Sequence, residues 1–398
     1  MAKTDKTTTI TPRPNRVMDQ LIKSNVSRAQ KDIKAWRTAL QQAENVETPR
    51  RGLLYNLYDE LIIDAHLSAE IDKRKDSFLE ADFNLIDIDG KINAEATLLL
   101  KKQWLKDLME HSWLSKAWGH SLVEVSALDQ LGMIAQVALI NRRHVIPERG
   151  LVVKKVTDEK GVLYREDPSI TLWVFEVGKS DDLGFLNKVA PHILYKRFAQ
   201  GAWAEFCEIF GMPVRYAKTN TNDTASLNRL NQCLADMATA SYAVINKEEE
   251  LFFIETSKSD GTVYKGLMDY CAQEVSKLIN GAVIGENSQG GSRSKEEVGL
   301  ELHRMKQRAD HRWWEAIMNE QIIPKLIALG YPLQGLSFEF EKSKDIVGHW
   351  KMVNEMLTTY DIDPEYIQET FNVPVKLRAA PVADPNIKPK AQHDSFFE

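Results

Sequence analysis

Apolar residues recur at helical spacing from Leu53 to Leu79, through Leu57, Leu61, Ile62, Ala65, Leu67 and Ile71, which predicts a helical region. A strand follows at Phe83, Leu85, Ile86 and Ile88, closed by the Asp89-Gly90 turn. Asn93 is the expected N-cap of a second helix passing through Leu98, Leu99, Trp104, Leu105, Leu108, Trp113, Leu114 and Trp118, whose apolar positions line one broad face. Between His120 and Gly178 the pattern turns to short apolar runs separated by turn-rich pieces: Ser121 to Val125, Ile134 to Ile140, Leu151 to Val156 and Ile170 to Val177. Helices followed by a β-rich layer predict an α+β unit and not a regular βαβ alternation.

The helical period returns at Pro191, a residue suited to a first turn, and carries Ile193, Leu194, Phe198, Ala202, Phe206 and Phe210 to a stop at Gly211-Met212-Pro213. About twenty residues of helix span roughly 30 Å. A compact βαββ insert is expected next, with a strand at Val214 to Lys218, a helix from Thr224 through Leu227, Leu230, Leu234 and Met237, and strands at Tyr242 to Ile245 and Leu251 to Ile254. A helix from Val263 through Leu267, Met268, Cys271, Val275, Leu278 and Ile279 then returns antiparallel to the first, if the insert caps the pair. Gly285 to Ser294 offers no large apolar side chain to bury and is expected to be an exposed loop. A long helical region over 295–329 carries Leu302, Met305, Trp313, Trp314, Ile317, Ile323 and Leu326; Pro324 should kink or split it, and Gly330-Tyr331-Pro332 should end it. A strand at Leu336 to Phe340 and helices over 345–359 and 364–370 complete the ordered part, between polar tails at 1–20 and from Pro381 onward.

Composition narrows the function classes. With 398 residues and 43% hydrophobic content the chain can furnish a substantial core, and its net charge of -6 gives no global basic signature for nucleic acid. Cys207, Cys233 and Cys271 lie far apart in helical patterns and are expected to be buried small hydrophobes in a reducing compartment. Met1 to Arg16 has no apolar h-region and no later run reaches the ~18 apolar residues of a membrane span, so neither secretion nor membrane insertion is expected.

Candidate chemistry is sparse. The glycine-rich loop lacks the Gly-Lys-Ser/Thr ending of a P-loop and follows a helix, so a flexible functional loop is favoured over nucleotide binding. Asp87-Ile88-Asp89-Gly90-Lys91 and Glu339-Phe340-Glu341-Lys342 are the two carboxylate clusters open to a metal nuclease, but they read more simply as a turn and a solvated strand face. His111, His120 and His144 are scattered and expected to be structural or surface residues, and no Gly-x-Ser-x-Gly elbow is present. Trp313-Trp314 is expected to serve packing or a subunit interface rather than base stacking. Lys196 and Arg197, near Trp203, fit a DNA path and a solvated helix face equally well. No cofactor, metal or catalytic residue is assigned.

The tract Trp203-Ala204-Glu205-Phe206-Cys207-Glu208-Ile209-Phe210-Gly211-Met212-Pro213-Val214-Arg215 resembles the signature of Mu-type portal proteins of tailed bacteriophages, in which a helix ends in a Phe-Gly-Met-Pro-like turn. Gly290-Gly291-Ser292-Arg293-Ser294, Arg308-Ala309-Asp310, Ile322-Ile323-Pro324-Lys325-Leu326 and the stretch from Asp64 to Arg74 extend the likeness in the same order. The chain departs from the family at Asn280-Gly281-Ala282-Val283-Ile284-Gly285, where a Gly-Gln-Thr-like tract usually stands.

The resemblance implies a portal fold and a non-enzymatic subunit of a ring, commonly of twelve copies, around a channel for double-stranded DNA. It implies an N-terminal arm at 1–45, a wing at 46–184, stem helices at 185–211 and 258–284, and a clip at 212–257. A tunnel loop at 285–298, a long wing helix and strand at 299–344, a crown at 345–380 and a flexible tail at 381–398 follow. By the same likeness Asn287, Ser288, Gln289, Gly290, Gly291, Ser292 and Arg293 are tunnel-loop candidates, Lys196 and Arg197 stem candidates facing the channel, and Arg215 and Lys218 clip candidates. The implied partners are the terminase large subunit, head-completion or neck proteins, and the major capsid and scaffolding proteins. The implied location is the capsid portal vertex of the virion, reached through the host cytoplasm during assembly. The alternatives are another phage head or neck structural protein and a metal-dependent DNA-processing enzyme.

Overall fold

The computed structural model describes residues 32–210, 215–218, 224–225, 228–229, 232, 250–253, 261–283, 293–341, 346–357, 362–371 and 373–374. Helix α1 (Ile33–Ala43) begins where the Asp32 carboxylate accepts the Ala35 N–H at 2.7 Å. The helical region expected over Leu53 to Leu79 is two helices, α2 (Gly52–Leu61) and α3 (Ala65–Leu79). Asp64 divides them: its backbone is extended and its side chain accepts the Leu67 N–H at 3.0 Å, so it starts a new helix instead of continuing the old one. Strand β1 (Phe83–Ile86) follows.

The next predicted helix also divides, into α4 (Ala94–Leu100), capped by Asn93 as expected, and α5 (Gln103–Trp118). Lys102 is extended between them, which lets Leu100 and Trp104 both reach the core from differently directed helices. Helix α5 ends at Gly119, whose φ of 90° and proximity to the Asp182 carbonyl, 2.2 Å from where a Cβ would stand, both demand glycine.

The β-rich layer contains β2 (His120–Leu128), β3 (Ile134–Leu139), β4 (Val145–Ile146), β5 (Leu151–Val153), β6 (Gly161–Leu163) and β7 (Val174–Gly178). They form two antiparallel three-stranded sheets, in the orders β3-β2-β7 and β4-β5-β6. The run expected from Ile170 to Val177 is split: Asp167 caps a short helix, α6 (Pro168–Thr171), before the strand starts. The run expected to Val156 stops at Val153.

Helix α7 (Gly184–Phe210) is 27 residues long, about 40 Å, and starts seven residues before Pro191, which lies inside it. The Asp182 carboxylate accepts the Gly184 N–H at 2.8 Å, providing an earlier start than the proline signalled. Strands β8 (Arg215–Lys218) and β9 (Glu250–Phe253) pair antiparallel, Arg215 opposite Phe253 and Lys218 opposite Glu250. Thr224, Ala225, Asn228, Arg229 and Gln232 are helical; the remainder of the expected insert, the strand at Tyr242 to Ile245 included, lies outside the described residues.

Helix α8 (Thr262–Asn280) is followed by α9 (Arg293–Ile317), a π-helical turn (Met318–Ile322), α10 (Ile323–Ala328) and β10 (Ser337–Phe340). The split expected at Pro324 is this π turn, whose wider hydrogen-bond spacing absorbs the missing N–H of the proline. Within it Asn319 both donates to the Phe338 carbonyl at 3.0 Å and accepts the Phe338 N–H at 2.7 Å, while Glu315 accepts the Phe340 N–H at 2.9 Å. On its other side β10 pairs antiparallel with β1, bringing Phe83 and Phe338 into a stack with ring centroids 4.6 Å apart.

One core runs from α1 to β10, with Tyr55, Tyr58, Phe78, Trp104, Trp113, Phe175, Trp314 and Phe338 buried in it. The chain divides into two compact units, the first ending at Phe340. In the second, α11 (Ile346–Met356) and α12 (Pro364–Phe371) pack through Val353, Ile367 and the rings of Trp350 and Phe371, 5.1 Å apart edge to face. The observed class is α+β, as the sequence pattern predicts.

Candidate functional site

Helices α7 and α8 lie antiparallel. Phe206 faces Tyr264 with ring centroids 5.9 Å apart, and further along His192 faces Tyr270 at 6.5 Å. One end of the pair is embedded. Leu186, Val189, Ala190, Ile193 and Leu194 of α7 are buried, as are Cys271, Val275 and Ile279 of α8. The other end is bare: beyond Ala199 none of the described α7 residues is buried, Phe198 is 73% exposed, and Val263, Leu267 and Tyr270 of α8 are exposed at helical spacing. Cys207 is exposed there, contrary to the expectation of a buried thiol, because the helix has by then left the core; Cys271 is buried as expected, and Cys233 lies outside the described residues.

Polar side chains fasten the embedded end to α2 and α3. Lys196 Nζ is 2.9 Å from Asp64 Oδ1, the same carboxylate that caps α3. Arg197 donates to the Glu60 carbonyl and lies 3.3 Å from its carboxylate. The two stem candidates are thus adjacent and each is matched by an acid of its own chain. His66 Nε2 lies 3.0 Å from both the Ala272 carbonyl and Ser276 Oγ, and Asn280 Nδ2 donates to the Glu70 carbonyl at 3.1 Å and to its carboxylate.

A buried polar cluster joins α3, α5, α8 and α9. Arg74 Nε and Nη2 each donate to one oxygen of Asp310 at 2.8 Å, and Nη1 donates to the Ile279 carbonyl at 2.7 Å. Asp310, 0% exposed, also accepts Trp113 Nε1 at 3.0 Å and lies 3.2 Å from Lys116 Nζ. Burial would raise the Asp310 pKa, but the hydrogen bond and charge of Arg74, with Lys116 beside them, hold it below the ordinary 3.8. Burial lowers the Lys116 pKa against the opposing pull of Asp310. Lys116 sits 4.1 Å from the centre of the Trp313 ring, beside an open cavity of about 420 Å³ lined also by Ser115, Gly119, Gly178, Lys179 and Asp181.

The other predicted positions are dispersed. Arg215 and Lys218 occupy the two ends of β8. Asn287, Ser288, Gln289, Gly290, Gly291 and Ser292 lie outside the described residues, and Arg293 opens α9. Trp314 is buried edge-on to Phe78, the packing role expected of it, while Trp313 is half-buried under Lys116. Asp87 closes a turn by accepting the N–H groups of Asp89 and Lys91 at 3.0 and 2.8 Å. His120 is buried against Glu176 at 2.9 Å and His144 Nδ1 is 3.0 Å from the Val153 carbonyl, both structural placements. Among the described residues no group of three His, Cys, Asp or Glu is placed to hold a metal ion, and no helix is long and apolar enough to cross a membrane.

Sequence reading did not single out Arg74, Asp310, Lys116, Glu70 or Asn280 as interacting groups. A usable signal was present: Arg74 interrupts the apolar face formed by Leu67, Ile71 and Phe78, and Asp310 lies one turn before Trp314.

The family model for the portal protein of Mu bacteriophage matches residues 55–373. The portal protein of Escherichia phage Mu is 25% identical over 203 residues, which is 48% of this chain and 39% of that relative, so the match spans well under half of the relative's length. Among solved structures, a chain in the neck of an empty GTA particle computed with C6 symmetry gives a TM-score of 0.52 at 10% identity, covering 86% of this chain and 100% of its own. A chain in the neck of a native GTA particle computed with C12 symmetry gives 0.50 at 11% identity over the same shares. At such identities these two show a common fold.

Proposed function

The chain belongs to the Mu bacteriophage portal protein family, and from that premise we propose that it is a portal subunit, one of a ring surrounding a channel for double-stranded DNA at the capsid vertex. The observation that carries the reading is the α7–α8 pair, built into its own subunit at one end and bare at the other. A helix pair that exposes Phe198, Val263, Leu267 and Tyr270 in one subunit has apolar surface for neighbouring copies to cover. The GTA necks, computed with C6 and with C12 symmetry, are compatible with the ring of twelve that this reading expects.

In this reading α7 and α8 are the stem, the segment 212–257 containing β8 and β9 is the clip, and residues 46–184 are the wing. The tunnel loop, expected over 285–298, ends in this reading where helix α9 begins at Arg293; 299–344 return the chain to the wing, and 345–380 form the crown. The DNA passes through the ring without chemistry. The terminase large subunit supplies the motor from the clip side, and head-completion or neck proteins, major capsid protein and scaffolding protein dock on the ring. Assembly takes place in the host cytoplasm.

A conduit must let DNA slide, so tight phosphate binding would oppose its task. The net charge of -6 and the neutralised stem cations support such a surface: Lys196 and Arg197 are each accompanied by an acid. Negative-stain electron microscopy of the purified assembly tests the proposal. A ring with an open central channel is the expected result, and a monomer or a closed particle overturns it.

A further inference from the structure

We propose that Arg74 is a positioning residue that sets the end of α8 against the middle of α9, holding both ends of the chain segment from Ile279 to Asp310 with one guanidinium. The bidentate pair with Asp310 and the third hydrogen bond to the Ile279 carbonyl use three separate N–H directions of the same planar group. Ile279 carries one of the last carbonyls of α8, which have no partner within the helix, and a cation there also complements the negative end of the helix dipole. One turn earlier on α3, Glu70 holds Asn280, so the same face of α3 fixes two successive residues of the α8 terminus. An apolar residue at position 74 would complete the Leu67, Ile71 and Phe78 face, but could not reach across to that carbonyl.

Asp310 makes its own polar contacts to α3 and α5: Arg74, Trp113 and Lys116. Its influence on α8 therefore passes through Arg74. Lys116 belongs to the same charge cluster but not to the tie, since it reaches Asp310 and the face of Trp313 without touching the Ile279 carbonyl in the way Arg74 does. The tie between the two helices does not rest on the portal reading.

The test is hydrogen exchange on the full-length assembled protein, comparing wild type with Asp310→Asn, Arg74→Lys and Lys116→Met. Asp310→Asn is expected to speed exchange roughly tenfold at residues 277 to 281, although the substituted side chain bonds to α3 and α5, with a matching rise around residues 306 to 312. Arg74→Lys, whose ammonium lacks the planar fork that pairs bidentately with Asp310 while a third N–H reaches the Ile279 carbonyl, is expected to do the same and decides the matter should Asp310→Asn fail to fold. Lys116→Met is expected to leave residues 277 to 281 unchanged. The proposal is overturned by unaltered protection at 277 to 281 in the foldable variants, by acceleration spread equally through α3 and α5, or by the same local effect in Lys116→Met. Micrographs of the wild-type sample separate this from the portal reading: absence of a ring defeats that reading and leaves the exchange result to judge the tie.

Discussion

The two ends of the α7–α8 pair are made from the same two helices and have opposite surroundings. At the embedded end apolar side chains meet the core and Lys196, Arg197, His66 and Asn280 meet partners on α2 and α3. At the bare end Phe198, Val263, Leu267 and Tyr270 meet solvent in the single subunit. Helical propensity cannot explain the contrast, because both ends are regular helix. What differs is whether tertiary packing within the chain supports the helix. The embedded end should govern whether the subunit folds, and the bare end what it does with other copies.

The strongest way to break this contrast is Asp310→Ala, which leaves Arg74 and Lys116 buried without their counter-ion. It should cost about 3–5 kcal/mol in denaturant unfolding, and a cost below roughly 1 kcal/mol would show that the buried joint matters no more than a surface pair. Ile279→Ala, which hollows the core beneath the end of α8, should cost about 2–5 kcal/mol by the same measurement. Lys196→Ala should cost about 1–3 kcal/mol, since Asp64 is left partly buried but keeps the Leu67 N–H. Phe198→Ser should change folding stability by no more than about 0.5 kcal/mol while lowering the yield of rings in micrographs. A large folding defect from this last variant would erase the distinction between the ends.

Acid sharpens the same comparison. The folded-state pKa of Asp310 is depressed, so its contribution is present above the ordinary carboxylate value of 3.8 and is lost as pH falls through the lower folded value. The unfolding free energy measured between about pH 5 and 2 should therefore fall more steeply with decreasing pH for wild type than for Asp310→Asn, which has no carboxylate to titrate at this position.

Much of this arrangement was legible in the sequence where period and punctuation agreed. The stripe through Ile193 and Leu194 predicted α7, the stripe through Cys271, Val275 and Ile279 predicted α8, and Asn93 marked the start of α4. Boundaries were lost where a polar side chain competed with the apolar period. Asp64 looked like one polar position among many along Leu53 to Leu79, yet its ability to accept the Leu67 N–H makes it a helix start. Pro191 suggested a beginning, but Asp182 had already supplied one. The Arg74–Asp310 joint was less legible still, because its partners are separated by most of the chain and hydropathy treats each as a solvated charge. The tracts that carried the family likeness contained both residues, and periodicity alone gave no reason to pair them.

The short sheet of β1 and β10 has a consequence for crowding. Asn319 and Glu315 occupy the outward backbone groups of β10, while Thr97 accepts the Leu85 N–H and the Leu85 carbonyl receives Asn93 on the far side of β1. Neither border is left as a template onto which a foreign strand can be added. Copies brought together at high local concentration thus have the route to runaway polymerisation through this sheet closed to them.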